Sequence, residues 1–106
     1  MTQTSASFYV LLALAKGPSH GLGIAEDVAN FTAGEILLGP GTLYRCLKDL
    51  ADAGAIERVE IETPGATHRK HYRLTERGRA EARNTLVGLD RVTAVGRARV
   101  GMPQEA

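Results

Sequence analysis

The chain has 106 residues, of which 43% are hydrophobic and 24% charged, and it carries a net charge of +1. That profile fits one globular domain with a modest core, to which association with a second copy would add stability. The even balance excludes a uniformly basic or acidic surface, so any affinity for nucleic acid has to come from local clustering of charge.

Two further exclusions follow from particular residues. The single cysteine, Cys46, cannot close an intrachain disulfide. The apolar run from Tyr9 to Ala15 has no basic residues before it and is cut off by Lys16-Gly17-Pro18. It is too short to span a bilayer and wrongly flanked for a secretion signal, so the expected location is the cytoplasm, with no membrane partner.

After a short polar start, Ser5 or Ser7 is placed to cap a first helix running through Phe8, Leu11, Leu12 and Leu14 to Ala15. Apolar residues occupy nearly every position of it. One face should be covered by its own domain, and the other wants a second cover such as a partner chain. Ser19 is the expected cap of a second helix, with Ile24, Ala25, Val28 and Phe31 as its core stripe and Glu26, Asp27 and Asn30 outside. Thr32 to Gly39 reads as a connection anchored by Ile36, Leu37 and Leu38.

The third helix opens at Gly39-Pro40, where proline suits the first turn, and closes at Gly54. Leu43, Leu47 and Leu50 share one face with Cys46 beside them, while Tyr44 and Lys48 lie on another face next to Arg45. Such a helix can pack on a core and present hydrogen-bonding cations outward.

Beyond Gly54 the period shifts to two. Val59 and Ile61 point one way and Arg58, Glu60 and Glu62 the other, with Ile56 plugging the junction. Pro64-Gly65-Ala66-Thr67 is a turn, and His71 and Arg73 set against Tyr72 and Leu74 form a second alternation, completing a loose hairpin. Thr75 can cap a last helix from Glu76 to about Arg99, striped by Ala82, Leu86, Leu89 and Thr93 and widened by Val92 and Val95. Gly101 to Ala106 is tail.

The fold class is therefore mainly α with a small β-hairpin. The order α-α-α-β-β-α is that of a winged helix-turn-helix, residues 1–75 forming the winged unit and 76–106 a C-terminal helix and tail. Between Pro64 and Arg79 five cations (Arg69, Lys70, Arg73, Arg77 and Arg79) face one acid, Glu76. The near-neutral total thus conceals a basic hairpin tip of the kind that reaches phosphates.

Three spaced motifs carry a family resemblance. They are Gly17-Pro18-Ser19-His20-Gly21 with Ile24; Pro40-Gly41-Thr42-Leu43-Tyr44 with Leu47, Leu50, Gly54 and Ile56; and Arg69-Lys70-His71-Tyr72-Arg73-Leu74-Thr75-Glu76 with Gly78. Together they resemble the PadR family of transcriptional regulators over about residues 8 to 80. The resemblance implies a homodimeric repressor of the subgroup with one C-terminal dimerisation helix, bound to double-stranded DNA. It implies base contacts from Thr42, Tyr44, Arg45 and Lys48, and wing contacts from Thr67, His68, Arg69 and Lys70. It also allows a small-molecule effector at the dimer interface, walled by Phe8 and Leu12 of the first helix and Leu86 and Leu89 of the last.

The chain departs from the family in two places. His71 stands where an aromatic is common, and the absence of Trp argues against the flat aromatic ligand sandwich known in some relatives. The implied mechanism docks two recognition helices in successive major grooves of an inverted repeat, about 34 Å apart.

Other chemistries find little support in the sequence. His20, His68 and His71 lack tight ligand spacing and thiolate partners, so no metal is expected; His20 is better suited to support the helix-turn corner. Cys46, beside the leucine stripe, reads as a small hydrophobe and not as a redox sensor. Glu57, Glu60 and Glu62 suggest no catalytic pair, and Ser19 has no neighbouring base, so neither an enzyme nor a cofactor is expected. The alternative reading is a winged-helix protein-interaction module without DNA binding.

Overall fold

The computed structural model describes residues 5–61 and 69–103. Its elements in chain order are α1 (Ala6–Ala15), β1 (Ser19–His20), α2 (Gly21–Phe31), α3 (Pro40–Asp52), β2 (Ile56–Val59), β3 (His71–Leu74) and α4 (Glu76–Val100). The expected winged helix-turn-helix is therefore present, with one element added. The sheet has three strands in the order β1-β3-β2, all antiparallel. Among the described residues no helix is long and apolar enough to cross a membrane.

Helix α1 is the hub. Ser5 caps it, its hydroxyl accepting the Phe8 N–H, and Phe8, Val10, Leu11, Ala13 and Leu14 are buried. It packs against α2, α3, α4 and β3, which explains why apolar residues occur nearly all round it. Val10, Leu14, Ile24, Val28, Leu47 and Ile56 are the largest fully buried side chains. Each such burial contributes about 2 kcal/mol, so these six tie α1, α2, α3 and β2 into one core.

Four expectations need correction. Ser19 is not the cap of α2. The chain is still extended there, pairing Ser19 with Tyr72 and His20 with His71, so the cap falls one residue later. His20 takes the role, its Nδ1 accepting the Gly23 N–H at 3.1 Å. Phe31, expected in the core, is the last residue of α2 and 46% exposed, its ring meeting that of Tyr9 at 6.3 Å. Leu37 is 75% exposed, leaving Ile36 and Leu38 to anchor the connection. Ile61 lies beyond the end of β2 and is exposed, while Ile56 is buried as the first residue of that strand. The expected turn at Pro64 to Thr67 lies outside the described residues.

Helix α4 departs from the rest of the domain. Thr75 caps it as expected, its hydroxyl accepting the Gly78 N–H and donating to the Gly54 carbonyl at 2.6 Å. Gly78 is pressed so close to the α3–β2 junction that a Cβ there would stand 2.0 Å from the Ala55 carbonyl oxygen. Only Gly78 and Ala82 of the helix are buried, so contact with the domain is confined to its first two turns. At about 1.5 Å per residue the remainder projects well beyond the core, consistent with the long dimension of 53 Å against 27 and 26 Å for the other two.

Candidate nucleic-acid interface

The local sequence defines α3 at both ends. Gly39 and Pro40 start it without a side-chain cap. At the other end the Gly54 N–H reaches the Ala51 carbonyl and the Ala55 N–H the Leu50 carbonyl, with Gly54 at φ +77°. This is the Schellman closure, and it needs a residue that tolerates the left-handed conformation. Between these ends Leu43, Cys46, Leu47 and Leu50 are buried, while Thr42, Tyr44, Arg45 and Lys48 are exposed on the remaining surface. The side chain of Tyr44 is 61% exposed, large for an aromatic in so small a domain.

The exposed residues are not equivalent. Lys48 pairs with Asp52 one turn along at 2.8 Å, and that hydrogen bond and charge, with a smaller push from Asp49, hold its pKa above the usual lysine value. Arg45 pairs with no acid among the described residues. Tyr44 leans instead toward the start of α2, where a Cβ at Gly21 would lie 3.6 Å from its hydroxyl. There it joins His20, Gly21, Arg69, Lys70 and Tyr72 around a cleft of about 500 Å³.

The structure therefore brings Tyr44, Arg69 and Lys70 together, and leaves Thr42, Arg45 and Lys48 on the open face of α3. Thr67 and His68 lie outside the described residues. His20, to which the sequence assigned only a corner role, proves central to the cleft. Its Nε2 is 3.3 Å from Arg69 Nη1, and its ring meets that of His71 edge to face at 5.3 Å. His71 Nδ1 in turn lies 3.0 Å from the Arg69 carbonyl oxygen, so it carries a proton and donates. Among the described residues no third metal-ligating side chain joins the two histidines.

Electrostatics around the cleft are one-sided. Burial, then the charge of Arg69, then His71 lower the His20 pKa below its ordinary value, against a smaller opposing pull from Glu26. Arg73, farther along β3, is occupied by an ion pair with Glu57 across the strand pair. Among the described residues, the cations left to face the cleft are Arg69 and Lys70.

Of the residues expected to wall an effector site, Phe8 is already buried within the chain, Leu12 and Leu89 are half-buried and Leu86 is exposed. Cys46 is buried in the leucine stripe.

Three helices, a small antiparallel sheet and one long trailing helix define a winged helix-turn-helix protein. The chain matches the transcriptional regulator PadR-like family over residues 10–84, and it belongs to that family. No curated protein matches it.

Solved structures share the fold. A PadR family transcription regulator from Clostridium difficile superposes with a TM-score of 0.74 at 21% identity, covering 89% of this chain and 96% of that one. A transcriptional regulator from Clostridium thermocellum gives 0.73 at 22% identity, covering 85% and 87%. Bacillus subtilis PadR, solved in complex with operator DNA, gives 0.67 at 25% identity, covering 76% of this chain and 47% of that one.

Proposed function

We propose that this regulator is a cytoplasmic, sequence-specific DNA-binding repressor that acts as a homodimer on an inverted repeat. The observation that carries the reading is the exposed Tyr44-Arg45-Lys48 surface of α3, set over a buried leucine stripe in a PadR-like chain. A helix anchored along one face can enter a major groove with the other, and Arg, Lys and Tyr supply the donors that read base edges. The operator complex of Bacillus subtilis PadR supports DNA as the partner.

In this reading residues 1–75 bind DNA, and residues 76–106 carry the dimer contact. Thr42, Tyr44 and Arg45 approach bases directly, whereas Lys48 must first exchange Asp52 for DNA. Arg69 and Lys70, with Thr67 and His68, make the wing contacts. Leu86, Val87, Val92 and Val95, all exposed on α4, give a second copy an apolar surface to cover. A small-molecule effector would bind where that copy meets the first helix (Phe8, Leu12) and the last (Leu86, Leu89), and would release DNA by changing the spacing of the two α3 helices. Repression itself is carried over from the resemblance.

A gel shift on the DNA upstream of the protein's own gene tests the reading. Tyr44→Ala should lose about 1–3 kcal/mol of specific binding with an unchanged melting temperature, because the side chain lies outside the core. If the unaltered protein shifts no DNA even at low salt, the reading fails and a protein-interaction module takes its place.

A further inference from the structure

His20 and Arg69 set two donors side by side at the rim of one cleft. His20 Nδ1 accepts the Gly23 N–H at 3.1 Å and must therefore carry a lone pair. In the neutral ring the proton then sits on Nε2, which makes that nitrogen a donor. Yet Arg69 Nη1 lies 3.3 Å from it, and a guanidinium has nothing but donors to offer. Neither accepts from the other, so both remain open to an acceptor. They converge, N–H beside N–H, on the cleft that Tyr44 and Lys70 also line, and among the described residues no carboxylate lines it. A volume of about 500 Å³ is ample for a tetrahedral anion with several lone pairs.

We propose that this cleft seats one phosphodiester of the DNA backbone, with His20 Nε2–H and the Arg69 guanidinium donating to its oxygens and Lys70 beside them, while Tyr44 at the rim is left for the bases. The inference rests on the DNA reading above and deepens it, since no family motif assigned His20 a ligand. The lowered His20 pKa keeps the ring neutral, and hence in the required tautomer, at neutral pH. The His71 hydrogen bond to the Arg69 carbonyl fixes the backbone from which the guanidinium reaches. A neutral donor beside a cation orients a phosphate without adding net charge. The site therefore positions the wing relative to α3 and carries no sequence preference.

His20→Asn separates the roles, because an Asn oxygen can still cap α2 but its amide stops short of the Nε2 position. With fluorescent duplexes of operator and of random sequence, His20→Asn should weaken both by about tenfold, the effect of one hydrogen bond to a charged group. The logarithmic salt slope should stay unchanged, whereas Arg69→Ala should reduce it by about 0.9. A series of duplexes, each with one neutral methylphosphonate, should contain a position that weakens the unaltered protein by more than it weakens His20→Asn, in which only Arg69 and Lys70 still engage that phosphate. In the unaltered protein, duplex DNA should also move the His20 ring signals in a ¹H–¹⁵N spectrum, a readout that needs no variant to fold.

Wild-type affinity for His20→Asn on both duplexes, with Tyr44→Ala still defective, would overturn the phosphate site and leave the DNA reading standing. Failure of the unaltered protein to bind any duplex would overturn both. Ring signals that respond to inorganic phosphate but not to DNA would make the cleft a small-anion site and overturn the backbone assignment.

Discussion

Helices α3 and α4 both carry an apolar stripe, and they differ in what becomes of it. In α3 the stripe of Leu43, Cys46, Leu47 and Leu50 is consumed by the domain's own core, leaving hydrogen-bonding groups outside. In α4 only Gly78 and Ala82 are consumed, and Leu86, Val87, Val92, Val95 and Val100 remain exposed. What a helix leaves unsatisfied indicates its partner. Polar donors over a buried stripe call for a polar surface, and a row of valines and leucines calls for another apolar face. In the proposed reading, this difference gives DNA to one helix and a second copy to the other.

The sharpest way to break this division is at the joint between the two regions. Gly78→Ala drives a methyl group toward the Ala55 carbonyl and the Leu74 side chain, 2.0 and 2.7 Å from the new Cβ. Backbone on one side cannot yield, so stability should fall by about 3 kcal/mol in a urea titration. A loss below about 1 kcal/mol would mean that α4 is not locked to the α3–β2 junction there. Next in size is the free part of α4. Leu86→Ala with Val95→Ala removes apolar groups that touch no core, so it should leave the domain folded. In the dimer reading it should weaken self-association by about 2 kcal/mol, roughly thirtyfold in the dissociation constant measured by sedimentation. An unchanged constant would move the dimer contact off this face.

The sequence carried this division unevenly. The stripe of α3, the alternation at His71 to Leu74 and the Thr75 cap all rest on neighbours within one turn or one strand, and all appear where expected. What escaped depends on the tertiary path. A strand of two residues, Ser19–His20, has no period to read, so β1 went unseen and with it the shift of the cap to His20. Phe31 and Leu37 have core-like identities, but one ends a helix and the other sits in a connection, where direction is set by packing and not by spacing. The cleft was the least legible feature. Arg69 lies 49 positions from His20 and reaches it only because β1 pairs with β3.

The smallest effect expected bears on that same corner. His20 has its folded-state pKa lowered from the ordinary 6.5 by burial, then by Arg69, then by His71, with Glu26 opposing. Lys70, Tyr44 and Tyr72 also line the cleft it faces. The folded protein therefore binds a proton at this ring less readily than the unfolded chain. Stability from this group is fully present above about 6.5 and declines as pH falls through that value. The loss is complete once pH drops below the lowered folded value. The structural reason is direct, since a proton on Nδ1 removes the acceptor that caps α2. Melting temperature measured from pH 8 to pH 5 should thus fall more steeply for the unaltered protein than for His20→Asn, in which the cap does not titrate. Parallel curves would mean that Nδ1 does not hold the cap, and the tautomer that makes Nε2 a donor in the cleft would lose its support.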